Sequence, residues 1–153
     1  MRGVYTAEIE IASVSTAQTV LFIGAPGDTV VEILSAAITN MDNDTAEQLE
    51  SGLFYVSDTT NVVGTSVTPE KHETGDTNST ILASGNLTTE PSGYNTKGID
   101  RQGYNNLAGY RYDPIPEEKP VLSPGQHVGL RMLTAPSTGF KAVASIVFRE
   151  IGG

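Results

Sequence analysis

Hydrophobic and polar residues alternate along most apolar parts of the chain, and this alternation predicts β-strands. In "YTAEIEIAS", Ile9 and Ile11 point to one side and the neighbouring glutamates to the other, which is the period of a strand with one buried face. The segments "TVLFIGAPGDT", "TVVEILSAAITNM" and "LFYVS" are predicted strands as well, because they are rich in β-branched and aromatic residues. A single helical turn at residues 32–37 is the alternative for part of the second segment.

The C-terminal third has the clearest pattern. "SPGQHVGLRMLTAPSTGFKAVASIVFREIGG" predicts a turn, a strand, a second turn and a last strand. Each strand has one apolar side, formed by Val128, Leu130, Met132, Ala142, Ala144, Ile146 and Phe148. The segment "APSTG" between the strands has Pro136 and Gly139 at its corners, so it is predicted to be a hairpin connection.

The alternation is lost between about residues 66 and 118. Only "ILASGNL" predicts a short strand there, and the remainder is rich in Thr, Ser, Asn, Gly and Pro. Loops of this length within a compact domain are usually functional or disordered. Because no segment has a capped amphipathic helical stripe, we predict an all-β fold: one antiparallel β-sandwich domain over residues 1–153, with a loop-rich insertion at about 66–118.

Composition and charge narrow the range of partners. The chain has no cysteine, which excludes disulfides, thiolate zinc sites and cysteine nucleophiles and favours a reducing cytoplasm. Residues 42–90 hold nine acidic residues and one basic residue, so this segment carries −8 of the net charge of −9 and is predicted to be a solvated acidic face. We expect no nucleic-acid partner, because an acidic chain repels phosphate backbones. We expect no membrane partner either, because no secretion signal or membrane-spanning apolar run is visible.

Side chains suited to catalysis or metal binding are few. His72 lies in the acidic loop "PEKHETGD", and His127 begins a predicted strand. A cation site at His72 would need the carboxylates of Glu70, Glu73 or Asp76. An exposed loop histidine is the simpler interpretation. The chain has no G-x-S-x-G motif and no glycine-rich phosphate loop, so we expect no enzyme, no catalytic residue, no metal site and no cofactor.

The segment "GYNNLAGYRYDPIPEE" and its upstream neighbours concentrate tyrosine and basic residues. Tyrosine and arginine are enriched at the centres of protein interfaces, because both combine a large contact area with directed polar groups. The segment is therefore predicted to contact another protein, while closure of the open end of the sandwich by the rings, or a sugar-binding patch, are alternatives. The candidate contact residues here are Tyr94, Arg101, Tyr104, Tyr110, Arg111 and Tyr112, with Lys97 close by.

The sequence also resembles a known family. The run "GYNNLAGYRYDPIPEEKPVLSPGQHVGLRML", the end "ASIVFREIGG" and the start "YTAEIEIASVSTAQTVLFIGAPGDTVVEILSAAIT" resemble the head decoration, or cement, proteins of tailed bacteriophages. The resemblance implies a jelly-roll-like domain, usually trimeric, on the outer surface of an icosahedral head. It also implies synthesis in the host cytoplasm and a major capsid protein as partner, whose neighbouring subunits the trimer clamps. The extended N-terminal segment, with Arg2 and Tyr5, would then supply further contacts.

Two other classes of function remain open. A carbohydrate-binding or receptor-binding β-sandwich module of a virion or cell surface would present the tyrosines in an exposed groove. An enzyme of cupin-like or hydrolase type would hold a metal at His72 or His127. A structural role requires neither feature.

Overall fold

The computed structural model describes residues 3–152, which fold into two antiparallel β-sheets packed face to face. The prediction of an all-β antiparallel sandwich is confirmed. The described part of the chain has no α-helix and one short 3₁₀ turn, Pro116–Glu118. The strands are β1 Gly3–Val14, β2 Gln18–Gly24, β3 Val30–Asn40, β4 Gln48–Val56, β5 Val63–Ser66, β6 Glu70–Lys71, β7 Leu82–Thr89, β8 Asp100–Asn105, β9 Tyr110–Tyr112, β10 Val121–Leu122, β11 His127–Met132 and β12 Phe140–Ile151.

The strand order is that of a jelly roll. Sheet A has the order β10-β3-β12-β1-β6, and β9 also pairs with β3. Sheet B has the order β5-β7-β2-β11-β4-β8. The long strands alternate between the sheets along the chain, so that β1-β12-β3 with β9 and β10 face β2-β11-β4-β8. The paired strands β5 and β7, which β6 of sheet A separates along the chain, are an addition at the β2 side of sheet B.

One hydrophobic core lies between the sheets. Ile33, Ile146 and Phe148 of sheet A and Leu53 and Leu130 of sheet B are fully buried in it. Buried residues of a strand lie two positions apart, as Ile146 and Phe148 do, because neighbouring side chains of a strand point to opposite faces. Removal of their apolar surface from water is the main stabilising contribution. Residues 32–37, the possible helical turn, lie within strand β3.

The prediction that "APSTG" joins a hairpin is wrong. Strand β11 belongs to sheet B and strand β12 to sheet A, so the connection crosses from one sheet to the other. Both strands have a single apolar side, and they bury these sides by packing face to face rather than by pairing edge to edge.

The segment 66–118 contains more strand than predicted. It includes β6, β7, β8 and β9, which are short, polar or both and therefore lack a visible hydrophobic alternation. The chain crosses from sheet B to sheet A between β5 and β6, and again between β8 and β9. Because the chain also returns from β6 in sheet A to β7 in sheet B, it crosses between the sheets three times in this part of the fold.

Candidate functional site

Two of the predicted contact tyrosines, Tyr104 and Tyr110, are core residues. Their rings lie 6.0 Å apart between the sheets, with exposed fractions of 9% and 1%. The Tyr104 hydroxyl is 2.8 Å from Ser51 Oγ, and the Tyr110 hydroxyl donates to Asp100 Oδ2 at 2.7 Å. Burial raises the pKa of Tyr110, and the hydrogen bond to Asp100 raises it further. The interpretation of these two residues as contact residues is therefore corrected: their rings close the sandwich, which was the alternative.

Tyr5 is also part of the core. Its ring is fully buried and stacks on Phe148, with 5.6 Å between the ring centroids. Its hydroxyl donates to the carbonyl of Thr77 at 2.8 Å. Tyr5 points inward because it shares the buried side of β1 with Ala7 and Ile9, so it offers no surface to a partner. The other N-terminal candidate, Arg2, lies outside the described residues.

Two of the basic candidates and one tyrosine are accessible. Arg101 is exposed and forms an ion pair with Glu50, and Arg111 is exposed and forms one with Asp113. Their positive charge is therefore compensated locally. Tyr112 is partly buried against the core, and burial raises its pKa. Arg101, Arg111 and Tyr112 stay candidate contact residues, but they do not form a basic aromatic patch together with the buried rings.

Tyr94 belongs to a second apolar layer, on the outward side of sheet B, which we call the covered face. Phe22, Phe54 and Val56 of this side are 6%, 2% and 6% exposed. Together with Leu87 they lie beneath Tyr94 and Val62, which come from the loops that follow β7 and β4. The outward side of this sheet is thus buried by the chain itself.

A polar network fixes Tyr94 on the covered face. Its hydroxyl bonds Thr19 Oγ1, which donates to the carboxylate of Glu90. Because Thr19 gives its only hydroxyl proton to Glu90, Tyr94 is the donor of the first bond. The guanidinium of Arg131 lies 4.0 Å from the Tyr94 ring centroid and 5.0 Å from that of Phe54. Gly129 leaves the room for this ring, because a Cβ there would overlap the Tyr94 hydroxyl.

His127 lies at the rim of the covered face. Its imidazole stacks on Phe22 with 5.4 Å between the ring centroids, and burial lowers its pKa. One cavity of about 430 Å³ and another of about 380 Å³ adjoin it. His127 thus has an apolar partner, and within the described residues no group of three or more His, Asp or Glu side chains is arranged to hold a metal ion.

The outward side of sheet A is different, and we call it the bare face. Its centre consists of small or β-branched side chains, each partly or fully exposed: Ser35, Ala37, Thr39, Val143, Ser145 and Val147. Two exposed large apolar side chains, Val121 and Ile151, lie at one end of it. The face carries four acidic and three basic residues, a net charge of −1: Glu8, Glu10, Glu32, Glu70, Arg111, Lys141 and Arg149.

Acidic side chains of the segment 42–90 cap turns as well as facing solvent. Asp42 accepts a hydrogen bond from the amide of Lys141, and Glu47 accepts one from the amide of Ser137. Asp58 accepts from the Thr60 amide and the Ser92 hydroxyl, which lower its pKa to about 2. His72 is exposed and hydrogen-bonds Thr6 at 2.7 Å.

Comparisons of the chain with protein-family models, with curated proteins and with solved structures found no match. Within residues 3–152, no helix is long and apolar enough to span a bilayer.

Proposed function

We propose that the protein is a structural capsid decoration (cement) protein. It binds the outside of a phage head as a homotrimer and stabilises the mature shell by bridging neighbouring major capsid protein subunits. Under this proposal the protein is part of the virion and carries out no chemistry. The resemblance of the sequence to head decoration proteins and the jelly-roll sandwich both support it.

The bare face is the observation that carries the proposal. Its three long strands have 12, 11 and 12 residues. With the short flanking strands, the face spans roughly 40 Å by 20 Å, on the order of 800 Å², which is the area that one partner contributes to a standard protein interface. The face is flat because its side chains are small, and its charge is nearly balanced on a molecule of net charge −9, so a partner surface meets little electrostatic repulsion there.

The mechanism would be mechanical. Packaged DNA pushes outward on a shell, and the contacts between capsid subunits are where the shell would rupture. A trimer that touches several subunits at once gains avidity from modest individual contacts. Because it binds the assembled shell and not the separated subunits, it shifts the equilibrium towards the intact head by mass action.

A co-sedimentation experiment with purified phage heads tests the proposal. We expect the wild-type protein to be a trimer by light scattering and to bind expanded heads. Ser145→Arg puts a long charged side chain at the centre of the bare face, so it should weaken head binding at least tenfold. Ser123→Arg, at an exposed turn, is the matched control and should bind normally. A wild-type protein that binds no head contradicts the function, whereas normal binding of Ser145→Arg contradicts the assignment of the bare face.

One observation favours the carbohydrate-binding alternative. The cavity of about 430 Å³ has Thr59, Ser66, Ser84 and His127 among its lining residues, beside apolar ones such as Phe22 and Leu82, and this mixture suits a small sugar. Tyr94, in contrast, is packed against Gly129 and Arg131 and offers no free ring face. Soaking with oligosaccharides distinguishes the two functions, because the decoration protein should retain none.

A further inference from the structure

Strand β1 has an open edge. On one side it pairs with β12 along its length, but on the other side β6 pairs only with Tyr5 and Thr6. Pro69 precedes β6, and because proline has no amide proton it cannot extend the ladder. Beyond Thr6, no described strand lies beside this side of β1. We call the exposed side of residues 8–12 the open edge.

The backbone groups of the open edge have a defined direction. The Val4 carbonyl accepts a hydrogen bond from the His72 amide, on the side away from β12. In an antiparallel strand every second residue directs its N–H and C=O to the same side, so those of Glu8 and Glu10 also point away from β12. An unpaired row of this kind is a template for a further strand.

The side chains beside the open edge are acidic. Among the described residues, Glu8 and Glu70 have no salt-bridge partner, and Glu10 pairs with Lys141 at 3.1 Å. A cavity of about 540 Å³ lies beside β6, and its lining residues are Thr6, Glu8, Thr68, Glu70 and His72. A lysine or arginine opposite Glu8 would enter this cavity.

The charge pattern disfavours pairing of the open edge with the open edge of a second copy. Two open edges paired with each other would set Glu8 and Glu10 of one copy against the same glutamates of the other, and like charges directly opposite are destabilising. A strand with a basic residue at every second position would instead set a cation against each of the two glutamates.

We propose that the open edge binds an extended segment of a partner protein that carries lysine or arginine at every second position. The segment adds a strand to sheet A by backbone hydrogen bonds to Glu8 and Glu10, and its basic side chains contact Glu8, Glu10 and Glu70. The inference rests on the proposed function only in that the partner is a protein; under that function it is the major capsid protein.

Binding of a synthetic peptide tests the edge independently of phage heads. The probe is an octapeptide of alternating lysine and valine, and its control has the same composition with all lysines before all valines. By NMR titration at 0.1 M salt we expect the alternating peptide to bind at least fivefold more tightly and to shift the amide signals of Glu8 and Glu10. Equal affinity for the two peptides, or amide shifts elsewhere only, would overturn the proposal.

Substitutions separate backbone pairing from charge. Glu10→Pro removes an outward N–H that β12 does not use and should reduce binding at least fivefold, whereas Glu10→Gln keeps that N–H and should lose less. The pair Glu8→Lys and Glu10→Lys, which preserves the backbone if the proline variant fails to fold, should abolish the preference for the alternating peptide. Lysine at Asp44 and Glu73, two exposed acids elsewhere, is the control and should keep the preference. If the control pair loses the preference equally, binding is non-specific attraction to an acidic protein and the proposal is wrong.

Peptide binding and head binding by the wild-type protein together distinguish this inference from the proposed function. If it binds the alternating peptide but no head, strand addition at the open edge is supported and the decoration function is contradicted. If it binds heads but shows no preference between the peptides, the decoration function is supported and strand addition at the open edge is contradicted.

Discussion

The outward face of sheet B is buried by the chain itself, whereas the outward face of sheet A is exposed. On the covered face of sheet B, the chain's own loops bury Phe22 and Phe54. Tyr94 is hydrogen-bonded to Thr19, and the guanidinium of Arg131 lies over its ring. On the bare face of sheet A, residues such as Ala37 and Ser145 leave a shallow surface that nothing in residues 3–152 covers. Large aromatic side chains therefore mark the surface that the chain covers itself, and small side chains mark the surface that residues 3–152 leave uncovered.

A pair of identical substitutions tests this difference most strongly. Val56→Ala on the covered face removes two buried methyl groups and should lower the free energy of unfolding by about 2 kcal/mol. Val147→Ala, on the partly exposed bare face, should lower it by less than about 1 kcal/mol. Urea denaturation of both variants gives the comparison, and equal losses would show that the two faces are equally buried in solution.

Enlarging a central residue should destabilise the protein on the covered face but not on the bare face. The effect should be smaller than that of the valine substitutions. Gly129→Ala overlaps the Tyr94 hydroxyl and should destabilise the fold by roughly 1–2 kcal/mol. Ala37→Val adds volume where there is room and favours strand, so it should be neutral or slightly stabilising. A neutral Gly129→Ala would mean that Tyr94 is not held against the sheet, and tyrosine fluorescence would report its release.

Titration of His127 should make the stability of the covered face depend on pH. Its pKa in the folded state lies below the usual value of about 6.5, so the folded state favours the neutral ring. Its contribution is fully present above about pH 6.5 and is lost as the pH falls from there towards the folded pKa. His127→Phe keeps the stacked ring on Phe22 and should reduce the loss of stability between pH 7 and 5. An unchanged loss of stability in His127→Phe would show that His127 is not the titrating group.

The smallest effect concerns Asp58, in the loop that covers sheet B. Its pKa of about 2 reflects hydrogen bonds from the Thr60 amide and the Ser92 hydroxyl. Its contribution is present above about pH 4 and is lost as the pH falls through about 2. Carbon-detected NMR of Ser92→Ala should show the pKa move upward by a fraction of a unit. An unchanged pKa would assign the shift to the hydrogen bonds from Thr60, whose amide and side chain both lower it.

Strong alternation made much of the fold predictable. It identified β1 and β12 because each of them has one buried and one exposed side, whereas β3 was predicted from its β-branched residues. It could not tell which sheet a strand joins, since an apolar side packs equally well in either, and the hairpin at "APSTG" was predicted wrongly for this reason. The strands between residues 66 and 118 were largely missed because they are short or lie at the sheet edges, where polar residues are tolerated.

The functional surfaces were less predictable than the strands. Tyrosine and arginine in one segment predicted a contact surface, but composition does not say whether a ring such as Tyr104 or Tyr110 points inward. A signal for the covered face was present in the uninterrupted apolar runs of "VLFI" in β2 and "LFYV" in β4, because a strand that is apolar at successive positions is buried on both sides. The bare face has no such signal, since small side chains look alike in loops and in sheets.

The central position of β12 has a consequence for how the molecule is made. Gly3 pairs with Glu150 and Ile151 with Val30, so the middle of sheet A joins residues almost a full chain length apart. A protein whose contacts join residues so far apart in the sequence folds slowly. During translation, β1 and β3 stay unpaired until the ribosome has released β12, the strand that lies between them. Nascent chains are therefore most vulnerable to mispairing in that interval, and a chaperone that shields β-edges would raise the yield.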